Sequence, residues 1–502
     1  MSQAEIYQTH VDTLVGGNHI YSDMNTQWQY LLESYIGGES YRDGSHLTRY
    51  NLEQDSEYNQ RLHIAHLDNH VQGVTNVYNS FLFRQEPYRD LGSLTNLPEA
   101  QEFLKDANHE GESLNVVMKT AAQWSIVFGH CWLILTKPNV GALTRADEMV
   151  VGARPYLNIV TPLSMLDWQY TRTPSGKYML KYIKYVEDVN GDIQVIKEWT
   201  EDEIRTSTVQ TKNDKPVMLD EQIETNQLGK IPCIPVYSKK GLVRGVGTSD
   251  VNDIADAQRK IYNLYAELEE SIRLDSHPSV VMTPDVVGAS SGPGSVIQVP
   301  NDIDPQLRPY LLSYDGASVK SILESIQEIV ESIDKMANIG GVRARETRTL
   351  SGAALETEFQ LLNARLAEKA DNLETAEEQL WRCFCMYYNR NWDGYVDYPG
   401  SFNIRDTQTE YQQLKVAKET ATDPKLLRLV DERLVELLDE EPSEVLDDST
   451  AEQLPQPQTE MTHEPMTSPD DMVAHMREMI EQGYTNEQIK ELHPEIAGFF
   501  EG

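Results

Sequence analysis

Apolar residues recur every three or four positions through Trp28, Leu31, Leu32 and Tyr35, the period of a helix, until Gly37-Gly38 interrupts them. A second run predicts a helix from Tyr58 to Phe83 through Leu62, Ala65, Leu67, Val71, Val74 and Val77, ending near Pro87. The pattern changes beyond residue 110. Asn115–Phe128 reads as a helix, and then WLILTK, RPYLNIV, YMLKYIKYVED, IQVIKEWT and IPCIPVYS form β-branched or aromatic runs divided by Gly, Pro or Asn. Asn190-Gly191 is a hairpin turn signal, so this part predicts an α/β unit with a mostly antiparallel sheet.

The middle of the chain returns to helices. Thr248-Ser249-Asp250 supplies N-cap chemistry for a helix from about Asp250 to Ile272, with Val251, Ile254, Ile261, Leu264, Tyr265 and Leu268 on its apolar face. Residues 276–314 predict a small β insert, in which Pro278–Thr283 and Ser295–Val299 are short strands flanking a GASSGPG turn. The next helix, about Ser318 to Ala337, has two faces at 100° per residue. Val319, Ile322, Ile326, Ile329, Ile333 and Met336 share one; Lys320, Glu324, Glu328 and Glu331 share the other. After the loop NIGGVRARETRTLS, a stripe from Leu355 through Phe359, Leu362, Leu366, Leu373 and Leu380 to Phe384 predicts one helix from Gly352 to about Asn391. At 1.5 Å per residue that helix is ~60 Å long, which suggests an extended assembly. Two helices are expected in 405–440, divided at Asp423-Pro424. An acidic, Pro-containing linker without Lys or Arg follows, and a helical hairpin over 468–502 closes the chain.

Composition narrows the function. Acidic side chains number 80 against 43 basic ones, a net charge of −37, with 39% hydrophobic residues and a mean hydropathy of −0.51. Such a chain can bury a core, but it lacks the cationic surface that wraps nucleic acid through phosphate contacts. A surface that DNA passes without sticking remains compatible with it. The N-terminus has no basic start and apolar core of a secretory signal, and the most apolar stretch, Trp124–Leu135, is far short of a bilayer span. Cys131, Cys233, Cys383 and Cys385 are too scattered for a disulfide framework and fit a reducing interior.

Candidate chemistry is sparse. His63, His66 and His70 have metal-like spacing, but no carboxylate base of the HExxH kind accompanies them, so surface or interface histidines are expected. Cys383 and Cys385 diverge by about 200° on a helix and are expected as buried thiols. Gly245-Val246-Gly247-Thr248-Ser249 satisfies neither phosphate-loop pattern and reads as a turn feeding the following helix. No nucleophile elbow, thiol-protease signature or selectable carboxylate pair is present, so no catalysis, no cofactor and no metal are expected. The exception is Arg343, Arg345 and Arg348 behind Gly340-Gly341: concentrated positive charge that either pairs with nearby acids such as Glu346 and Glu356 or meets a phosphate backbone in passing.

The order helix, β insert, amphipathic helix, Gly-rich loop, very long helix resembles the portal (head-to-tail connector) proteins of tailed bacteriophages. YNQRLHIAHLDNHVQGVTNVYNSFLFRQEP, PYLNIVTPLSMLDWQY, GVGTSDVNDIADAQRKIYN and NIRDTQTEYQQLKVAKETATDPKLLRLVDERLVELL look like successive portions of such a chain, over roughly residues 20–440. The resemblance implies an α+β fold with a wing (1–245), stem helices (246–275 and 315–337) and a clip (276–314). It further implies a tunnel loop (338–351), a long wing helix and following strand (352–404) and a crown (405–440). The linker (441–467) and terminal hairpin (468–502) depart from the pattern.

It also implies a ring of about twelve subunits at a capsid vertex, assembled in the host cytoplasm and part of the virion. The expected partners are capsid and scaffolding proteins, a large terminase, a neck adaptor and double-stranded DNA passing non-specifically. Implied site residues are the loop Gly340, Gly341, Arg343, Arg345 and Arg348, the acidic stem Glu324, Glu328 and Glu331, and the clip interface Val280, Val281, Val296, Ile297 and Val299. The rival readings are an acidic structural or scaffold protein that assembles through its long helix without a channel, and a hydrolase using paired carboxylates.

Overall fold

The computed structural model describes residues 17–141, 145–212, 215–276, 279–281, 304, 310–312, 317–340 and 352–402, with Lys415, Lys418 and Val430. The chain divides into two compact units, 1–404 and 405–502, and nearly all described residues belong to the first. Apart from those three residues of the predicted crown, the crown, linker and terminal hairpin lie outside the described residues.

Helix α1 (His19–Ile36) starts on Asn18, whose side chain accepts from Ile20 N–H, and stops at Gly37 with φ +63°. The single helix expected over 58–83 is two, α2 (Asp55–Ile64) and α3 (His70–Leu82). Asn69 causes the break: its Oδ1 caps α3 at Gln72 N–H, while its amide donates to Tyr35 O at 2.9 Å. That cap competes with helix continuation and wins because it also ties the break to α1. Then come strand β1 (Tyr88–Asp90), α4 (Pro98–Lys105) and α5 (Leu114–Phe128), the last capped by Ser113 and stopped by Gly129 at φ +89°.

Two antiparallel sheets replace the single one expected. β2 (His130–Thr136) lies between β3 (Tyr156–Val160) and β9 (Cys233–Tyr237), buried along its whole length, which is why its sequence is continuously apolar. A short helix, α6 (Arg145–Val151), precedes β3. The second sheet is a meander of β4 (Met165–Arg172), β5 (Tyr178–Asn190), β6 (Ile193–Thr200), β7 (Glu203–Lys212) and β8 (Lys215–Thr225). The β5–β6 hairpin turns at Gly191, φ +60°, as Asn190-Gly191 predicts. β7 and β8 escaped the sequence reading because both are polar. β8 is an edge strand with most residues exposed, so no apolar alternation marks it.

Helix α7 (Asn252–Ser276) then runs to β10 (Ser279–Val281), which pairs antiparallel with β11 (Tyr310–Leu312) before α8 (Ala317–Ala337) returns. The first insert strand is therefore found, but its partner is 310–312; Ser295–Val299 lies outside the described residues. Helix α9 (Gly352–Tyr387) has 36 residues, ~54 Å at 1.5 Å each, and stops before the expected Asn391. Asn389, at φ +52°, turns the backbone there, and Arg390 N–H closes back onto Cys385 O at 3.0 Å. β12 (Tyr395–Asp397) finally pairs with β1. One core joins these elements, including Trp28, Tyr78, Trp132, Ile261, Ile333, Leu366 and Phe384.

Candidate functional site

Helix α8 carries the predicted two-faced pattern into the fold. Ile326 and Ile333 are buried, and Val319, Ile322 and Ile329 pack half-buried against the core; Met336, expected with them, is 37% exposed. On the opposite stripe Glu324 and Glu328 are exposed, Glu324 3.8 Å from Lys320 across one turn, and Glu331 is half-buried. The exposed end of the hairpin also shows Ile272 and Leu323 to solvent.

The base of this hairpin is fixed by a buried ionic hub. Asp250, expected to cap α7, does something else: its Oδ2 accepts from Lys369 Nζ at 2.5 Å and from the Ser238 hydroxyl, and its Oδ1 from Arg365 Nη2 at 3.3 Å. Both the Asp250 and Lys369 side chains are 5% exposed. Lys369 also donates to Ser238 Oγ at 2.6 Å, and burial outweighs Asp250 in drawing its ammonium below the usual lysine value. Ser249 shapes the turn before the helix, its Oγ accepting from Val251 N–H at 3.1 Å and donating to Val127 O. Arg365 reaches the other hairpin helix, donating to Met336 O at 2.7 Å, while Tyr78 hydroxyl donates to Ala337 O at 2.5 Å. The start of α7 and the end of α8 thus meet at one arginine, which makes the two helices antiparallel. A cavity of about 340 Å³ beside the hub is lined by Lys239, Asp250, Asn338 and Arg365 among others.

A second buried network holds the segment that leads into α7. His130 Nδ1 accepts from Gly247 N–H at 3.2 Å, which leaves Nε2–H to donate to Tyr21 hydroxyl at 2.5 Å. Tyr21 oxygen also accepts from Trp132 Nε1 at 3.0 Å, and its own hydrogen goes to Gly245 O at 2.9 Å. Every group has a partner, and burial holds the imidazole neutral, its pKa pulled down to about 3. Gly247 backbone lies directly against Gly129: a Cβ there would sit 2.0 Å from Gly129 O. Because the Gly247 N–H already serves His130, the Gly245–Ser249 segment is a packed turn, as its failure to match phosphate-loop patterns predicts.

The other predicted candidates fall as follows. His63 and His66 are exposed, but His70, expected at a surface or interface with them, is buried within the chain beside Asp68, 3.1 Å away; α3 begins there, so its first turn faces the core. All four cysteines are free; Cys131, Cys233 and Cys385 are buried, whereas Cys383 is half-buried. Among the described residues no group of His, Cys, Asp or Glu is arranged for a metal, and no helix is long and apolar enough to cross a membrane. Gly340 is described and half-buried; Gly341, Arg343, Arg345 and Arg348 lie outside the described residues, as do Val296, Ile297 and Val299. Val280 and Val281 pair in register with Leu311 and Tyr310 of the same chain.

No family model and no curated protein matches the sequence. Solved structures do align with the chain, among them the following two. A chain of the "Virion of native gene transfer agent (GTA) particle" aligns over 72% of this chain and 89% of its own length, at 10% identity and a TM-score of 0.40. A chain of the "Neck of empty GTA particle computed with C6 symmetry" aligns over 79% and 99%, at 10% identity and 0.40. The chain is thus similar to components of a gene transfer agent's virion and neck.

The hub escaped the sequence reading, yet a signal was there. The buried stripe of α9 advances by threes and fours through Leu362, Leu366, Leu373, Leu380 and Phe384, and Lys369 and Glu377 occupy its missing steps. A charge in an apolar stripe is a charge with a buried partner. Glu377, wholly buried, accepts from Arg89 at 2.5 Å, Tyr398 hydroxyl at 2.7 Å and Trp381 Nε1 at 3.2 Å.

Proposed function

We propose that the chain is a portal subunit: identical copies close into a ring whose bore conducts double-stranded DNA during packaging and ejection, with α7 and α8 as stem and β10–β11 at the base of the clip. The supporting observation is the α7–α8 hairpin. It projects from the hub with its apolar side in the core and a carboxylate stripe, Glu324 and Glu328 foremost, open on α8. Repeated around a ring, such a stripe repels a polyanion toward the axis over a Debye length of ~8–10 Å. Its one cation, Lys320, lies 3.8 Å from Glu324, so the stripe stays net anionic and counterion release would do little to trap the duplex. The loop after Gly340, with its three arginines, starts from the helix end that Arg365 and Tyr78 hold. In this reading its three arginines meet the passing phosphates. The portal performs no bond chemistry in this reading; a terminase supplies the motor and an adaptor closes the neck.

The test is an image and a packaging assay. Negative-stain electron microscopy of the purified full chain should show rings with a central hole. Replacing Arg343, Arg345 and Arg348 by Glu should leave the rings intact while lowering packaged DNA. A monodisperse monomer under all conditions refutes the reading, and unchanged packaging refutes the role of the loop.

A further inference from the structure

The five-stranded sheet carries complementary patches on its two faces. One is a rigid tip. Residues 240–247 form a closed loop, with Lys240 bridged to Gly247, Gly241 N–H on Val246 O at 3.1 Å and Val246 N–H on Val243 O at 3.1 Å. The loop is braced from below: Trp168 Nε1 donates to Arg244 O at 3.1 Å, Gly245 N–H to Tyr237 hydroxyl at 3.1 Å, and the Arg244 guanidinium lies 3.8 Å from the centre of the Tyr178 ring. Despite that bracing, Leu242 is fully exposed at its apex beside half-open Val243. Lys239, Lys240 and Arg244 flank them, and among the described residues none of the three is ion-paired. The loop is braced, yet its Leu242 apex packs against nothing in its own fold. It is pre-organised for a partner.

The partner's chemistry is present on the opposite face. Strand register puts Trp168 and Ile183 on the tip's side, and Asp167, Lys184 and Glu198 on the other. There a concavity of about 680 Å³ is lined by Asp167, Glu198, Glu201, Asp202 and Glu203 around the Tyr182 ring, with Lys181 and Lys184 as its cations. Among the described residues Glu201 and Asp202, on the β6–β7 turn, form no ion pair. Five carboxylates against two ammonium groups leave the concavity anionic, and the flank of the tip is cationic.

We propose that neighbouring copies of this chain meet here, the 239–244 tip of one seated in the carboxylate-rimmed concavity of the next. Leu242 then lies against Tyr182, and the lysines face Glu201 and Asp202. A contact between two different patches of one chain is heterologous, and repetition of it closes a ring or winds a helix. The contact deepens the portal reading, and its closure into a ring rests on that reading.

The experiment compares four full-length proteins by native mass measurement and negative stain: wild type, Lys239→Glu with Lys240→Glu, Glu201→Lys with Asp202→Lys, and the chain carrying all four changes. Each pair of reversals sits at exposed or half-exposed positions and should raise the concentration needed for assembly at least tenfold. The fourfold variant, with the charges exchanged, should recover assembly. Leu242→Ser should weaken assembly without altering the thermal melt of the subunit. Reversal variants that assemble like wild type, or a fourfold variant no better than either pair, overturn the contact. Wild-type rings with unaffected variants leave the portal reading standing and remove only the contact. A wild-type oligomer without a hole that still obeys the charge exchange does the reverse.

Discussion

Asp250→Asn isolates what the hub contributes. The substitution keeps the side chain's volume and removes one negative charge from a site where the carboxylate and Lys369 are each 5% exposed. Lys369 Nζ, 2.5 Å from Oδ2, and Arg365, 3.3 Å from Oδ1, then face a neutral amide in place of their carboxylate. Breaking a buried pair from one side leaves an uncompensated charge, at a cost of about 3–5 kcal/mol. At roughly 2.1 cal/mol/K of unfolding entropy per residue, 4 kcal/mol in the 404-residue first unit lowers Tm by roughly 5 °C. Lys369→Met should also destabilise, but by less, because Asp250 keeps Arg365 and the Ser238 hydroxyl. The double variant should be markedly less damaged than the sum, since a neutral pair of similar size no longer carries a buried charge. Thermal and urea unfolding of the four proteins gives the cycle. A single Asn variant within 0.5 kcal/mol of wild type, or strict additivity in the cycle, would refute the claim that the hub is a tightly coupled pair.

Two further outcomes follow from the His130 network. Folding lowers the His130 pKa to about 3 from an unfolded value near 6.5, so the unfolded chain takes the proton first as pH falls. The stabilisation is complete above that unfolded value and is lost progressively toward pH 3, about 2 kcal/mol of it between pH 7.5 and 5. Urea unfolding at those two pH values should show that loss in wild type and a smaller one in His130→Gln, which does not titrate; equal losses would exclude His130 as the source. Gly247→Ala would place a methyl group 2.0 Å from Gly129 O, backbone that cannot swing aside, and should yield little soluble protein. Gly191→Ala, where an added Cβ meets nothing within 4 Å, should cost only the strain of its positive φ, and the ratio of soluble yields checks the difference.

Periodicity in the sequence was enough to place α5, α7, α8 and α9 nearly to their ends, and the C-terminal half of α1 with its stop, because each has one wet and one dry face and the 3.6-residue repeat records that division directly. The apolar runs of β2, β3, β5, β6 and β9 were legible for a similar reason, as was the carboxylate stripe of α8. Tertiary structure decided the rest. Only in three dimensions does Asn69 find Tyr35 O and divide one expected helix into two. The polar strands β7 and β8 are strands because neighbours supply their hydrogen bonds, and their side chains carry no trace of that. Asp250 looked like a helix cap from its local sequence, and it became the anion of a hub because Lys369, 119 residues away, has no water to turn to. Local sequence encodes which side of an element avoids water; which distant group neutralises a buried charge is a property of packing, and no spacing along the chain contains it.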